Sequence, residues 1–403
     1  MFSAAAAGAF SLWLPRPAKG YTAQEVRSRL STRTTISDVS KQDLETPALC
    51  VDLDRLEANI AKLQAGLKES RIGSRPHAKT HKCASIARLQ LEAGALGICA
   101  AKISEAEALF EEGIDRICMT TSNLSAGKIR RAMRLARRSP HFIQAVDTKN
   151  NARDLSDAAR EAGVTADVVI DVAAGNRTGA PAGAESLTLA QWTDSLPHLR
   201  LRGLLAYDGG AQHVDGFVER RERALRGMEE SAKTCAQMQA SGLDTGIFSG
   251  GGTGTYSMLH AVPGFTDVQA GSYVFMDMQY LAIGSEDGDP VYKDFLPSLT
   301  VMTTILNNRF AGKLTTDAGA KALTLNRPRA GVIGEPGMDY DAGSDEFGVI
   351  SVKESSRSYA IGDRLELIVP HCDPVVNLFD AIYGIRGEQV EVVWPITARG
   401  CSQ

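Results

Sequence analysis

One lysine and two glycine-rich segments give the first indication of chemistry. Lys79 ends a predicted strand within residues 75–82, Arg-Pro-His-Ala-Lys-Thr-His-Lys. Two later predicted strands are followed by residues 249–256, Ser-Gly-Gly-Gly-Thr-Gly-Thr-Tyr, and by residues 271–273, Gly-Ser-Tyr. Glycine lets backbone N–H groups approach a phosphate closely, and a lysine amine with a lowered pKa attacks an aldehyde to form a Schiff base. Together these features indicate pyridoxal phosphate (PLP), which carries both a phosphate and an aldehyde.

Simpler interpretations of the same residues stay open at this level. Lys79 taken alone is equally compatible with a surface lysine or a ligand for a plain anion, and Lys82 is its local rival. Each glycine-rich segment taken alone fits a tight connection from a strand to a helix. Their occurrence after the predicted seventh and eighth strands favours a phosphate site, because barrel enzymes often hold phosphate there.

A second chemical signal is the run His371-Cys372-Asp373, which follows the β-rich residues 365–370. In an extended segment the side chains of His371 and Asp373 project to the same side. An imidazole and a carboxylate so placed can share one divalent metal, with water or substrate oxygens completing the shell. The alternative is an ordinary hydrogen-bonded His–Asp pair, which the two residues taken alone favour.

The elements that must position these residues alternate from residue 46 onward between short apolar runs and longer helical periods. An opening strand at 48–53 and an amphipathic helix from Leu53 to Leu67 come first. The eight strand candidates that follow are residues 73–79, 97–100, 116–119, 142–146, 166–171, 201–207, 245–249 and 267–270. Eight such units predict an α/β fold with a closed (β/α)8 TIM-type barrel, and an open doubly wound sheet is the main competitor.

This barrel would place three candidate side chains at one face. Catalytic groups of barrel enzymes lie at the carboxyl ends of the strands. Lys79 ends strand one, Arg177 follows strand five and Tyr207 ends strand six. We therefore expect the three side chains to surround one site.

The predicted secondary-structure pattern changes past about residue 284, where β-rich runs replace long helical periods. We predict an N-terminal extension at 1–45, a PLP-binding barrel at 46–285 and a C-terminal β-domain at 286–403, with strand 48–53 as a candidate addition to that domain. Ser104 and Glu107 have the spacing of a capping box, which predicts that a helix opens at Ser104. Residues 128–138 predict an amphipathic helix with a basic, solvated face.

Composition limits the classes of partner. The formal charge is -4 and no long run of Lys or Arg occurs, so neither nucleic acid nor an anionic membrane is indicated, and a small-molecule substrate is expected. Seven scattered cysteines without a Cys-x-x-Cys spacing indicate neither a disulfide framework nor a cysteine zinc site. The apolar residues 3–14 are too few to span a bilayer. A cytoplasmic location is expected, with export or organelle targeting through this segment left open.

The motifs resemble those of the D-threonine aldolase and D-serine dehydratase family, whose members are fold-type III PLP enzymes built like alanine racemase. The resemblance rests on residues 75–82 and on His-Cys-Asp-Pro at 371–374, and it extends from about residue 45 to residue 395. It includes Gly-Asn-Arg-Thr-Gly at 175–179 and the glycine segment 249–256. The implied architecture is an alanine racemase-like barrel with a C-terminal β-domain.

The resemblance implies a role for each candidate residue. Lys79 would hold PLP covalently, Arg177 would lie beside the cofactor, and the hydroxyl of Tyr207 would face the pyridine nitrogen. The backbone of the two glycine segments would bind the phosphate through Gly251, Gly252, Thr253, Gly271 and Ser272, and Tyr273 belongs to the same run. His371 and Asp373 would hold the metal. His213, in the loop after Tyr207, is the candidate base for the substrate hydroxyl, with a solvent-exposed loop histidine or a metal-bound hydroxide as alternatives.

The residue at position 373 separates the activities that the resemblance implies. The resembling dehydratases tend to have His-x-Cys and bind zinc, whereas the aldolases have His-x-Asp, and this chain has Asp373. A hard carboxylate favours manganese or magnesium over zinc. The expected reaction is therefore PLP- and metal-dependent retro-aldol cleavage of a D-3-hydroxy amino acid, with D-threonine giving glycine and acetaldehyde. The resemblance also implies a homodimer.

Three alternatives accompany this expectation. A D-serine or 3-hydroxyaspartate dehydratase would release a 2-oxo acid, and a 3-hydroxyaspartate aldolase would release glyoxylate. A non-catalytic PLP carrier would need neither a metal pair nor a second domain. The sequence also departs from the family pattern at residues 344–348, where Phe347 stands in place of an expected histidine, so that Asp345 and Glu346 are either pocket residues or exposed acids in a turn.

Overall fold

The computed structural model describes residues 18–31, 39–175 and 177–403, and its elements form two β-sheets with surrounding helices. The strands are β1 (Ala48–Asp52), β2 (Gly73–Ser74), β3 (Ile98–Ala100), β4 (Ile117–Met119), β5 (Ile143–Val146), β6 (Ala166–Ala173), β7 (Ala180–Pro181), β8 (Leu199–Ala206), β9 (Ile247–Gly250), β10 (Asp267–Val268), β11 (Leu299–Phe310), β12 (Lys313–Thr316), β13 (Gly331–Val332), β14 (Met338–Asp341), β15 (Gly348–Val352), β16 (Arg364–Ile368), β17 (Ala381–Arg386) and β18 (Gln389–Pro395). The α-helices are α1 (Ala23–Ser31), α2 (Leu53–Glu69), α3 (Ala84–Glu92), α4 (Ile103–Glu111), α5 (Ala126–Arg138), α6 (Lys149–Ala162), α7 (Ala184–Asp194), α8 (Phe217–Ala240), α9 (Met278–Leu281), α10 (Ala320–Leu323) and α11 (Cys372–Val376).

The first sheet is parallel and has the strand order β2-β10-β9-β8-β6-β5-β4-β3, with the short β7 paired to β6. Cys99 N donates to Pro76 O at 2.8 Å, so the chain just after β2 lies against β3 and closes the barrel. The predicted (β/α)8 barrel is therefore confirmed, and the open doubly wound sheet is excluded.

All eight predicted barrel strands occur, and the differences lie at their ends. The regular part of the first predicted strand, 73–79, is β2, which has two residues. Hydrogen bonds from Arg75 N to Val268 O and from His77 N to Ala270 O continue the pairing until Ala78–Thr80 forms a 3-10 turn. Strand β6 is buried along seven of its eight residues, as expected for a parallel strand covered on both faces. The short β7 was not predicted.

The helices follow the apolar pattern, with one exception at a helix start. Helix α5 buries Ile129, Ala132, Met133 and Leu135 and exposes its basic face, as predicted. The predicted capping box is wrong: α4 begins at Ile103, and its N-cap is Lys102, which makes no side-chain cap bond. The hydroxyl of Ser104 instead donates to Gln403 O, and Glu107 pairs with Arg131.

The second sheet contains a closed antiparallel barrel of six strands, in which β11 is hydrogen bonded to both β12 and β16. Strand β1 extends this sheet, because it pairs antiparallel with β11 and parallel with β17. The opening strand, a candidate addition to the β-domain, is therefore hydrogen bonded to two strands of the second sheet. Helix α1 buries Val26 with Val39, Leu44 and Tyr383. The apolar residues 3–14 lie outside the described residues.

The second sheet reaches the mouth of the parallel barrel through the segment after β16. The prediction that residues 371–373 form one extended segment is wrong. His371 is extended and is the N-cap of helix α11, but the helix itself begins at Cys372. Helix α11 packs against the 3-10 turn that carries Lys79. Among the residues described, no helix has both the length and the apolar character needed to cross a bilayer.

Candidate active site

Lys79 lies in a turn that neighbouring polar groups hold in place. His77 is the N-cap of the turn, and its Nδ1 accepts a hydrogen bond from Lys79 N at 3.3 Å. Its Nε2 lies 3.2 Å from Thr120 Oγ1, at the end of β4. Burial lowers the pKa of His77 well below its ordinary value, and the charge of Lys79 acts in the same direction. A neutral His77 therefore tethers the lysine turn to the neighbouring strand end.

The amine of Lys79 faces the predicted metal pair across the two domains. Its Nζ lies 3.3 Å from Asp373 Oδ2, which the first residues of α11 carry. Burial lowers the pKa of Lys79, but Asp373 and Tyr207 outweigh it, so the pKa is raised. The lowered pKa that Schiff-base chemistry suggested is therefore absent while this ion pair is intact. Burial raises the pKa of Asp373, but Lys79 and His371 hold it below its ordinary value.

His371 is fixed by a buried carboxylate that the sequence analysis missed. Asp277 is fully buried, and its Oδ2 accepts hydrogen bonds from His371 Nδ1 and Cys372 N, both at 2.9 Å. Because Nδ1 is engaged, Nε2 is the atom that His371 can offer to a metal, in the usual carboxylate–histidine–metal arrangement. Burial raises the pKa of the Cys372 thiol well above its ordinary value, so a neutral thiol and not a thiolate lies between the two candidate ligands.

The donor set fits a hard divalent cation with open positions. Asp277, His371 and Cys372 form a group whose ligand atoms lie within 4.8 Å of one another, yet Asp277 is occupied by three hydrogen bonds. The available donors are therefore the imidazole of His371 and the carboxylate of Asp373. One nitrogen and one oxygen leave room for water and substrate oxygens, as manganese and magnesium prefer.

His213 approaches the same place from the loop after β8. Its ring centroid lies 4.5 Å from that of Tyr280 and 6.5 Å from that of His371. Partial desolvation lowers the pKa of His213, and the positive charges of His371 and Lys79 add to the effect. His213 is consequently neutral near pH 7 and able to accept a proton. Tyr280 is buried, and burial raises its pKa well above the ordinary value, so its hydroxyl stays protonated.

A cavity of about 310 Å³ opens beside Lys79 at the carboxyl ends of the barrel strands. Seven of the candidate residues line it: Lys79, Arg177, Tyr207, Gly252, Thr253, Gly271 and Ser272. Further lining residues are Asp171, Tyr280, Lys102, Thr120 and Thr121. The cavity therefore brings together the lysine, the cationic side chain and both glycine segments, as the strand positions predicted.

The two glycine segments are held against each other and against the loop of His213. Thr253 Oγ1 accepts a hydrogen bond from Tyr273 N at 3.0 Å. A Cβ added to Gly252 would lie 2.7 Å from Gln212 Oε1, and one added to Gly271 would collide with Thr80 Oγ1. A side chain at either position would thus require one of these neighbours to shift, whereas glycine lets an anion approach the backbone closely. These cradles fit the phosphate of PLP.

Three candidates lie at the edge of this arrangement. Gly251 has a positive φ of 63° and precedes the cavity lining. Tyr273 is fully buried outside the lining, where its ring packs edge-on against Phe295 and its hydroxyl accepts a hydrogen bond from Gln90 Nε2. The turn containing Asp345, Glu346 and Phe347 is exposed, and Glu346 pairs with Lys321. The acids of this turn do not line the cavity described above.

Arg177 and Asp171 set the charge on the wall opposite Lys79. The guanidinium of Arg177 lies 5.4 Å from the ring centroid of Tyr207, within the range of a cation–π contact. Burial raises the pKa of Asp171 to about 6, although the charge of Arg177 opposes the shift. Asp171 is a cavity residue that the sequence analysis did not single out.

Asp277 and Tyr280 are the principal residues that sequence reasoning missed. Asp277 is the N-cap of α9, and its Oδ1 accepts from Tyr280 N at 2.9 Å. An Asp immediately before the first helical residue is a recognisable N-cap signal, because its side chain can accept from the N–H three residues later. That signal predicts a helix start, but it does not indicate that the second carboxylate oxygen reaches a histidine 94 residues away.

The protein has the architecture of a fold-type III PLP enzyme, like that of alanine racemase. This architecture combines a parallel barrel, a β-domain and a lysine at a strand end beside a cradle for phosphate. The family model described as alanine racemase, N-terminal domain, matches residues 51–279, and the one described as putative serine dehydratase domain matches residues 298–385. The chain belongs to the D-threonine aldolase and D-serine dehydratase family, and PLP follows from that membership.

Similar proteins within the family are named for three different activities. A D-threonine aldolase of Arthrobacter sp is 36% identical over 89% of this chain and 94% of its own length. A 3-hydroxy-D-aspartate aldolase of Paracoccus denitrificans is 32% identical over 90% of this chain and 94% of its own length. A D-threo-3-hydroxyaspartate dehydratase of Delftia sp. is 27% identical over 87% of this chain and 97% of its own length. D-threonine aldolase from Filomicrobium marinum, which is known from a crystal structure, is 33% identical in sequence to this chain. The two structures superpose with a TM-score of 0.86, and the match covers 92% of this chain and 100% of the other.

Proposed function

We propose that this chain cleaves a D-3-hydroxy amino acid by a retro-aldol reaction, with D-threonine giving glycine and acetaldehyde. The observation that carries the proposal is the 3.3 Å approach of Lys79 Nζ to Asp373 Oδ2, which puts the cofactor lysine beside the metal pair. The D-threonine aldolase relatives support it, because they share most of their length with this chain. Asp373 in place of cysteine favours manganese or magnesium over zinc.

Each residue of the site has one task in this proposal. Lys79 binds PLP, which supplies an electron sink for the bond that breaks. His371 and Asp373 would hold the metal, which would supply a Lewis acid for the 3-hydroxyl of the substrate. His213 Nε2 or Nδ1 takes the hydroxyl proton as the bond between Cα and Cβ breaks, so that Cβ leaves as an aldehyde. Cα then gains one proton from solvent, His213 returns its proton to solvent, and the product is glycine.

The cofactor wall is assigned in the same way. Gly251, Gly252, Thr253, Gly271 and Ser272 bind the phosphate through backbone and hydroxyl groups, with Tyr273 spacing the two segments. Arg177 would lie beside the cofactor ring, and the hydroxyl of Tyr207 would face its nitrogen. We also propose a homodimer, whose mass by sedimentation would be about twice the 43.1 kDa of the chain.

The test is product analysis with D-threonine, D-serine and D-3-hydroxyaspartate in the presence of Mn²⁺. Glycine and acetaldehyde from D-threonine support the proposal. Pyruvate or oxaloacetate with ammonia would instead identify a dehydratase, the second candidate, which the Delftia relative supports. Glycine and glyoxylate formed from D-3-hydroxyaspartate, with D-threonine inert, would identify a 3-hydroxyaspartate aldolase. The L-isomers are the control and should be unreactive, because the lysine and the metal fix the faces of the bound substrate.

A further inference from the structure

The second lysine of the motif, Lys82, is buried and has a set of partners that the proposed reaction does not use. Its Nζ donates to Glu105 Oε1 at 3.0 Å, to Ala398 O at 3.4 Å and to Cys401 O at 3.4 Å. Its φ is 49°, a left-handed backbone conformation that is uncommon for a residue with a side chain. Lys82 is therefore held in an unfavourable conformation by specific contacts, three residues after Lys79.

Glu105 connects this lysine to the loop that lines the cavity. Its side chain is only 1% exposed, and its Oε2 accepts a hydrogen bond from Ala101 N at 2.8 Å. Ala101 and Lys102 are cavity residues, between β3 and α4. The ion pair of Lys82 and Glu105 thus links the lysine turn to the next strand end of the barrel.

The backbone of Lys82 is hydrogen bonded to the segment that follows β18, residues 397–401. Ala398 N donates to Lys82 O at 2.9 Å, and Ala84 N donates to Thr397 Oγ1 at 3.4 Å. Two residues further on, Gly400 N donates to Asn377 Oδ1 at 2.9 Å. Asn377 is the C-cap of α11, the short helix that carries Asp373. A continuous series of contacts therefore runs from the Lys79 turn through Lys82 and residues 397–401 to the metal helix.

Stability alone is a poor explanation for this arrangement. A buried ion pair gains little over well-packed apolar residues, because removing two charges from water offsets their attraction. Buried pairs of this kind are best attested where they specify one geometry among several. Here the geometry in question is the placement of one domain's carboxylate against the other domain's lysine, at 3.3 Å.

We propose that Lys82 is a positioning residue that sets Asp373 relative to Lys79 through residues 397–401 and helix α11. The proposal rests on the metal role given to Asp373 under the proposed function. Lys82 touches neither reacting atom in this assignment, and its effect reaches the site through the placement of the metal helix.

The test uses cofactor-loaded protein and the double variant Lys82→Met/Glu105→Leu, which removes both charges and leaves no buried ion unpaired. The affinity for Mn²⁺, measured from the electron paramagnetic resonance signal of free Mn²⁺, should weaken about tenfold. Loss of other residues that orient metal ligands has an effect of this size. The visible absorption of the bound cofactor should be retained. Lys82→Arg should bind Mn²⁺ more tightly than Lys82→Met, because it keeps the donor. Lys68→Met, which changes an exposed lysine on α2, is the matched control and should behave as wild type.

A second measurement separates positioning from a merely structural role and does not need the metal. In hydrogen exchange on the metal-free, cofactor-loaded double variant, the amides of α11 should exchange at least about tenfold faster than in wild type, together with those of residues 397–401. Faster exchange confined to residues 82–84 and 397–401, with unchanged Mn²⁺ affinity, would overturn the proposal. If wild type neither binds Mn²⁺ nor cleaves any of the three substrates, the proposed function fails, and the exchange of α11 alone decides the role of Lys82.

Discussion

Replacing Asp277 by asparagine should weaken metal binding without affecting the cofactor. The carboxylate accepts three hydrogen bonds: Oδ2 accepts from His371 Nδ1 and Cys372 N, and Oδ1 accepts from Tyr280 N. An amide has only one oxygen, so its NH2 group must face at least one of these donors, whichever way it is turned. If the NH2 group occupies the Oδ2 position, it meets both donors and releases the ring of His371.

The structure sets the expected magnitude. Loss of a carboxylate that orients a histidine ligand reduces metal affinity about 10–100-fold, or roughly 1.4–2.8 kcal/mol at about 1.4 kcal/mol per factor of ten. Each buried donor left without an acceptor costs about 1–3 kcal/mol of stability. Asp277 is fully buried, so its carboxylate and the donors facing it are not in contact with bulk solvent. We therefore expect both a weaker metal site and a lower unfolding free energy.

The assay is a Mn²⁺ titration of the cofactor-loaded variant, with the visible absorption of the cofactor as an internal reference. Asp52→Asn is the matched control, because Asp52 is also a helix N-cap, accepting from Arg55 N at 3.0 Å, but belongs to α2 and not to the metal site. It should leave Mn²⁺ affinity unchanged. The reasoning is refuted if Asp277→Asn binds Mn²⁺ as tightly as wild type. Complete loss of binding would instead make Asp277 a direct ligand.

Three further predictions test other parts of the site. Lys79→Ala should lose the visible absorption of bound PLP, whereas a chelator should abolish cleavage of D-threonine and leave the absorption; a band that persists in the variant, or full activity without metal, contradicts these roles. In cofactor-free protein above pH 6, the free energy of unfolding of Asp171→Asn should exceed that of wild type by up to about 3 kcal/mol. Burial raises the pKa of Asp171 to about 6, so the folded wild-type protein loses stability as the pH rises from 4 to 6, whereas the asparagine variant does not. Urea unfolding at pH 4 and pH 8 checks this, and an equal difference at both pH values counts against it. Gly271→Ala should weaken PLP binding by about 1–3 kcal/mol, since its Cβ would collide with Thr80 in the lysine turn. Gly127→Ala, whose Cβ meets nothing within 4 Å in helix α5, should bind PLP as wild type does in an equilibrium titration.

The barrel was predictable because its signal is local. Each of its eight strands is a short apolar run bounded by helical periods, and the position of Lys79, Tyr207 and both glycine segments at the carboxyl ends follows from counting these runs. The opening strand was predicted as a strand for the same reason, but its place in the β-domain was only a candidate, because its partners β11 and β17 are distant in sequence.

The parts that were missed depend on contacts between distant residues. The helical turn at Cys372 follows from packing of α11 on the lysine turn, and no local period in three residues specifies it. Asp277 reaches His371 across 94 positions, and Glu105 reaches Lys82 across 23. The capping box failed because Ser104 and Glu107 have partners elsewhere, in Gln403 and Arg131. Local pattern predicts an element, but not which distant group engages its polar ends.

The position of β1 has a consequence for synthesis and for dissection of the chain. This strand leaves the ribosome before the barrel, but its neighbours β11 and β17 lie about 250 and 330 positions later. Until they emerge, β1 has two unpaired edges on either side of an apolar strand. A fragment starting at residue 286 would in turn contain an empty slot between β11 and β17, lined by the partners of Leu49 and Cys50, Val301 and Tyr383. During refolding of the full-length chain the same slot can receive β1 of another copy in place of its own, which makes exchange of this strand the expected route to entangled dimers.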